Sequence, residues 1–208
     1  LTTARFETGK EYPIYMRKWL KDGTEQVMLD VNQLASGKDF YQVGNYAVSP
    51  DNNLVAYAED TNGRRQYTVR VRDLRTGKDL PDVLTGVEAS LAWSSDSKHL
   101  FYIEKDKQTL LGNKIRRHQL GEAVAKDVLM YEEKDTSFYT GIGKKFGQTG
   151  VIRGQRRDFF ALLLQFQQRR SGNFCHVILI RPLNFTRARL HILHPIANYL
   201  DEPFVVAR

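Results

Sequence analysis

The chain has 208 residues, 41% hydrophobic and 26% charged, which is ordinary globular composition and enough to bury a single core. Its net charge of +7 is unevenly placed: residues 1–145 carry 22 basic and 21 acidic side chains, whereas residues 146–208 carry nine Arg, no Lys and three acidic residues. The larger part therefore lacks a phosphate-tracking surface, so no nucleic acid is expected as a partner.

No apolar run approaches the ~18 residues of a membrane span, and no basic, apolar, small-residue series reads as a signal peptide, so no membrane partner is expected. A single cysteine, Cys175, excludes an internal disulfide and a cysteine-rich zinc site. A reducing, cytoplasmic compartment is the simpler expectation.

Residues 1–10 are polar and are expected to lack a strand. Residues 11–15 lead into the first strand, where Pro13 is tolerable because its missing N–H falls at the start of the ladder. Ile14 to Lys18, a turn at Lys21-Asp22-Gly23, and residues 26–30 then make two strands. Asp30 is placed to cap one helical turn over residues 31–35, before Ser36-Gly37. Residues 40–48 read as an innermost strand, with small residues suited to a narrow centre.

Residues 48–80 state a complete unit. Leu54, Ala56 and Ala58 alternate with Val55, Tyr57 and Glu59, and Val69 and Val71 alternate with Arg70 and Arg72, the period of two that strands require. Pro50 fixes φ, and Ser49, Asp51, Asn52 and Asn53 can bond their own backbone to start a turn. Asn62-Gly63 and Thr76-Gly77 supply the φ > 0 residues of hairpin turns. Moved forward by 45 residues the unit recurs, with Ser94, Ser95, Asp96, Leu100, Phe101, Tyr102 and Glu104 opposite Ser49, Pro50, Asp51, Val55, Ala56, Tyr57 and Glu59.

A strand-built repeat of about 40 to 50 residues is the signature of a β-propeller blade. Residues 14–18 and 26–30 resemble the outer half of such a blade, and Asp127-Val128-Leu129-Met130 closes a third. Residues 89–93 are the next inner strand, with Trp93 wedged between blades. The expected fold is all-β, a partial propeller of about three four-stranded blades. A chance recurrence of Ser-Asp turns in another antiparallel β-protein is the alternative.

After Lys145 the pattern stops. Residues 159–166 form a solid apolar run with helix-forming Ala and Leu, flanked by Arg156-Arg157 and Arg169-Arg170. Val177 to Ile180 reads as a short strand stopped by Pro182. A run apolar on all sides needs burial on all sides, and the sequence offers it no partner. Residues 1–145 are therefore read as the propeller segment and residues 146–208 as an unassigned tail, translated from a shifted reading frame; a divergent appended domain is the alternative.

A resemblance follows from particular residues. Gly9-Lys10-Glu11-Tyr12-Pro13-Ile14-Tyr15, Leu29-Asp30-Val31-Asn32, Arg64-Arg65-Gln66-Tyr67-Thr68, Gln108-Thr109-Leu110-Leu111, Arg117-His118 and Tyr131-Glu132-Glu133-Lys134-Asp135 resemble the N-terminal propeller of oligopeptidase B, in the prolyl oligopeptidase family of serine peptidases. The similarity covers about residues 5–145. It implies a seven-bladed propeller over an α/β-hydrolase domain, the pair cleaving short peptides after Arg or Lys while the propeller gates access. Short basic peptides and the hydrolase domain are the implied partners.

The implied triad of Ser, Asp and His has no counterpart here, because no Gly-x-Ser-x-Gly nucleophile elbow occurs. No catalytic, cofactor-binding or metal-binding residue is assigned, and no cofactor is expected. A non-catalytic propeller scaffold that binds proteins is the alternative function.

Three further groups carry charge or ligating atoms. His99, His118, His176, His191 and His194 are scattered; the last two are three apart, without a third ligand at a metal-like spacing, so a structural role is favoured for each. Glu132-Glu133 with Asp135 reads as a solvated strand end, since adjacent strand residues face opposite sides. Arg64-Arg65 reads as surface charge or an interdomain ion pair.

Overall fold

The computed structural model describes the backbone of residues 1–145, 148–155, 161–169 and 172–179, and the side chains of residues 1–142. Three antiparallel sheets follow one another along the chain. The first contains β1 (Thr2–Arg5), β2 (Ile14–Lys18) and β3 (Glu25–Asp30), in that order. Residues 1–10, expected to lack a strand, thus contain β1. Its side chains are all exposed, and it is held by backbone pairing with β2, from Thr2 opposite Arg17 to Arg5 opposite Ile14. Such pairing leaves no mark in side-chain pattern. Helix α1 (Val31–Ala35) begins where Asp30 accepts from the backbone N–H groups of Asn32 and Gln33.

The second sheet has seven strands and holds the repeat. In sequence these are β4 (Gln42–Val48), β5 (Leu54–Asp60), β6 (Tyr67–Asp73), β7 (Asp79–Trp93), β8 (His99–Lys105), β9 (Gly112–Gln119) and β10 (Val128–Glu132), and each pairs with the next. The first part of β7 pairs with β6, from Asp79 opposite Arg72 to Val87 opposite Tyr67. Its second part pairs with β8, from Val87 opposite Glu104 to Trp93 opposite Leu100. Gly86, at φ 68°, lies at the change of partner. The strand is thus the outer edge of one four-stranded blade and the inner edge of the next, which is the connection a propeller needs. The chain is a partial β-propeller.

The third sheet orders β11 (Phe138–Lys145), β12 (Gln148–Gln155), β13 (Ala161–Arg169) and β14 (Gly172–Leu179). The apolar run at 161–166, for which no partner was expected, is strand: Leu162, Leu163 and Leu164 pair with β12 on one edge and β14 on the other. Continuous apolar runs suit a strand covered on both faces as well as a helix, and composition does not separate the two. Residues 159–160, Ile180, Pro182, His191 and His194 lie outside the described residues.

Burial explains why alternation did not become a polar face. In β5, residues 55–60 are all buried. Val55 and Tyr57 pack with Met28, Leu29 and Leu74 against the first sheet, while Ala56 and Ala58 pack with Val69, Val71, Leu91, Trp93, Leu100 and Tyr102 between the two complete blades. On β8 and β9, Ile103 and Ile115 face β11 through Ile142. A blade is sandwiched between neighbours, so period two sorts its residues between two interfaces.

Asn62-Gly63, read as a tight hairpin turn, belongs instead to a six-residue loop, residues 61–66, between β5 and β6. The Asp60 carboxylate accepts from the N–H groups of Asn62 and Gly63 at 3.0 Å each and of Arg65 at 2.8 Å. Gly63 nevertheless sits at φ 72°. Gly121, at φ 81°, donates its N–H to Asp82 Oδ1 at 2.6 Å. Replacing either glycine by Val is expected to destabilise the chain by about 1–3 kcal/mol, the cost of strain at a left-handed position. Thermal melts check this, and a parent-like melting temperature for Gly63→Val would show that the loop relaxes without cost.

Candidate functional site

Successive connections in an antiparallel meander alternate between two ends of the blades. At one end the turns after β4 and inner β7 are built alike. Ser49 Oγ donates to Asp51 and receives the Leu54 N–H at 3.0 Å; Ser94 Oγ donates to Asp96 and receives the His99 N–H at 3.0 Å. Neighbouring turns are tied where the Asp51 N–H donates to Ser97 Oγ at 3.1 Å. Ser49, Asp51, Ser94 and Asp96 are thus engaged in holding these two turns.

The other end carries the loops after β5 and β8. Arg64 and Arg65 are exposed on residues 61–66, yet their backbone is held: Arg65 has φ 55°, and its carbonyl accepts from Lys105 Nζ at 2.6 Å. Asp106 repeats the role of Asp60 one blade later, accepting from the N–H groups of Gln108 at 3.0 Å and Thr109 at 2.8 Å. Beside it lies a cavity of about 320 Å³, lined among others by Asp106, Asn113, Glu132, Glu133 and Asp135. Glu133, read as solvated, is 8% exposed and accepts from Tyr131 Oη at 2.7 Å and the Asp135 N–H at 3.0 Å. The Glu133 N–H donates to the Asn113 carbonyl at 2.7 Å, which holds the residue against β9. Asn113 Oδ1, also buried, has no hydrogen-bond partner.

Between the blades runs a polar ladder that the sequence did not disclose. Tyr57 Oη donates to Asp79 at 3.0 Å, Arg72 reaches the same carboxylate at 2.8 Å, and Arg70 Nε donates to Glu59 at 2.6 Å. One repeat later Tyr102 Oη donates to Asp127 at 2.8 Å, and Arg116 Nε donates to Glu104. Burial, then the neighbouring carboxylates, push the Tyr57 and Tyr102 hydroxyls well above the ordinary phenol range, keeping them as donors. The hydrogen bond that Arg70 donates to Glu59 raises the Arg70 guanidinium further. The signal was present: Tyr57 and Glu59 recur as Tyr102 and Glu104, but their partners come from other strands.

His118 takes the ladder position of Arg72, since Leu100 faces His118 as Val55 faces Arg72. It is fully buried, with Nδ1 2.7 Å from Asp127 Oδ1 and Nε2 2.9 Å from Asp82 Oδ1. Both ring nitrogens are occupied, so His118 is not available as a base toward a substrate. His99 lies against Asp96 at 3.5 Å. Among the described residues no group of three or more His, Cys, Asp or Glu is arranged to hold a metal ion, and no helix is long and apolar enough to cross a membrane.

Comparison with known proteins places this geometry. The family model for the prolyl oligopeptidase N-terminal β-propeller domain matches residues 4–148. The dipeptidyl aminopeptidase BI of Pseudoxanthomonas mexicana is 50% identical over 159 residues, 68% of this chain and 22% of that protein. Protease 2 of Moraxella lacunata is 36% identical over 149 residues, 68% of this chain and 21% of that protein. The chain thus spans about a fifth of the length of these relatives. The structure of oligopeptidase B from Leishmania major superposes with a TM-score of 0.76 at 29% identity, over 87% of this chain and 26% of that one.

Proposed function

Because the chain belongs to the prolyl oligopeptidase family, through that family's N-terminal β-propeller domain, we propose that it is the propeller portion of a cytoplasmic serine peptidase. The peptidase cleaves short peptides after Arg or Lys, and the propeller limits which peptides reach a hydrolase domain. The family match over residues 4–148 carries the reading. Support for the geometry comes from the end of the blades that presents Arg64 and Arg65 on a loop braced by Asp60 and Lys105. That end is the one we assign to face the hydrolase domain.

The 50% identity to a protein named dipeptidyl aminopeptidase favours a second reading, release of dipeptides from free N-termini. The 208-residue chain alone is expected to hydrolyse neither an Arg-ended reporter nor a dipeptide reporter, since it lacks the nucleophile elbow. Turnover that survives repurification would overturn this. Replacing the matching propeller segment of the Pseudoxanthomonas relative with residues 4–148 is the further test. The chimera should cleave and should still exclude long peptides. A chimera that folds, cleaves and no longer discriminates by length would overturn the gating role.

Residues 146–208 are assigned to translation in a shifted frame, supported by the loss of Lys beside nine Arg and by the end of the family match at 148. The pairing of β12, β13 and β14 with one another and with β11 supports the rival, a divergent appended domain. Translating the coding DNA in its other frames decides: a continuing blade pattern there supports the shift, and its absence overturns it.

A further inference from the structure

In the second complete blade His118 stands where the first has Arg72, which is permanently charged, faces the first sheet beside Val55 and pairs with Asp79 at a partly exposed site. His118 is buried between the two complete blades, and its two carboxylates come from different blades: Asp82 from the outer part of β7, Asp127 from the turn before β10. The side chains of all three are 1–3% exposed. The charged and titratable groups around the ring are Asp82 on β7, Tyr102 and Glu104 on β8, Arg116 on β9, and Asp127. Tyr102 spends its proton on Asp127 Oδ2 and Arg116 is held by Glu104, so neither supplies a proton to the ring. Asp82 Oδ1 also takes the Gly121 N–H.

Proton counting then decides the state of the joint. A neutral imidazole carries one N–H, which would leave the other nitrogen's lone pair facing a carboxylate oxygen at 2.7 or 2.9 Å. With Asp82 and Asp127 both ionised, only a ring with both protons makes both hydrogen bonds. We propose that Asp82, His118 and Asp127 form a pH-responsive joint between the two blades, closed while the imidazole holds both protons and opened by the loss of one. The closed joint binds a proton that the opened chain releases, so stability falls as pH rises.

Asp127→Asn separates this from a merely structural role. The amide can donate to Nδ1 and accept from Tyr102 Oη, while Nε2–H still reaches Asp82, so a neutral ring is satisfied. Thermal melts of the 208-residue chain from pH 6 to 8.5 should show the parent losing several degrees and Asp127→Asn holding level. Parallel slopes, or a parent that does not lose stability, would overturn the joint. Imidazole ¹⁵N shifts of the parent give a reading that needs no variant to fold: one of the five rings should hold both protons while the melting temperature stays high and lose one as it falls. A spectrum in which no ring holds both protons at pH 6 would equally overturn the joint.

Discussion

Trp93→Ala is expected to cost about 3–5 kcal/mol, the range for removing a fully buried aromatic side chain. Trp93 is 2% exposed, packs against Ala56, Ala58, Val69, Val71 and Leu100, and its Nε1–H donates to the Ala47 carbonyl at 2.8 Å. The indole therefore fills the space between two inner strands and ties them together, and its loss leaves a cavity and removes that tie. Trp93→Phe keeps most of the buried area and loses the hydrogen bond, so it should cost about 1–2 kcal/mol. Urea unfolding of the three proteins checks both values. Equal losses for Phe and Ala would mean that the hydrogen bond outweighs the packing, and no loss for Ala would remove Trp93 from the blade joint.

Glu59→Ala should cost about 2–3 kcal/mol, and the equivalent change Glu104→Ala about 1 kcal/mol or less. The two residues occupy the same ladder position, but Glu59 has a side chain 7% exposed, whereas Glu104 is 32% exposed. Glu59 also accepts from Tyr41 Oη at 2.8 Å, and Tyr41 is 2% exposed, so truncation strands a buried hydroxyl as well as one end of Arg70. Arg70 is 37% exposed, and water recovers part of its loss, which is why the figure sits below that of a fully buried pair. Glu59→Gln, which still accepts from Tyr41, should recover about half of the loss. Denaturant melts of the paired variants decide, and similar costs at positions 59 and 104 would show that burial does not set the scale.

The comparison of the two glutamates also marks how far the residues alone could be read. Alternation in 54–59 and 69–72, the Ser-x-Asp turns and the 45-residue offset are local properties, each set by φ/ψ preference and side-chain period, and they led to strands, turns and repeated blades without knowledge of packing. The cap at Asp30 and the burial of Trp93 were legible for the same reason. The Arg and Asp partners of Tyr57 and Glu59 were not, because period two says that a residue lies on one face and not which strand's side chain will meet it.

Strand β1 escaped because backbone pairing with β2 holds residues whose side chains stay in water. The loop at 61–66 looked like a tight Asn-Gly turn because its true organiser, the Asp60 carboxylate, lies just outside the dipeptide. Glu133 looked solvated because its place is set by a backbone bond to Asn113 on β9, a contact between strands that the local pattern does not carry. The sequence by itself determined a partial propeller of the prolyl oligopeptidase kind. Tertiary structure alone decided that His118 sits between Asp82 and Asp127, 36 residues before it and nine after, since contact between such positions exists only once two blades have packed.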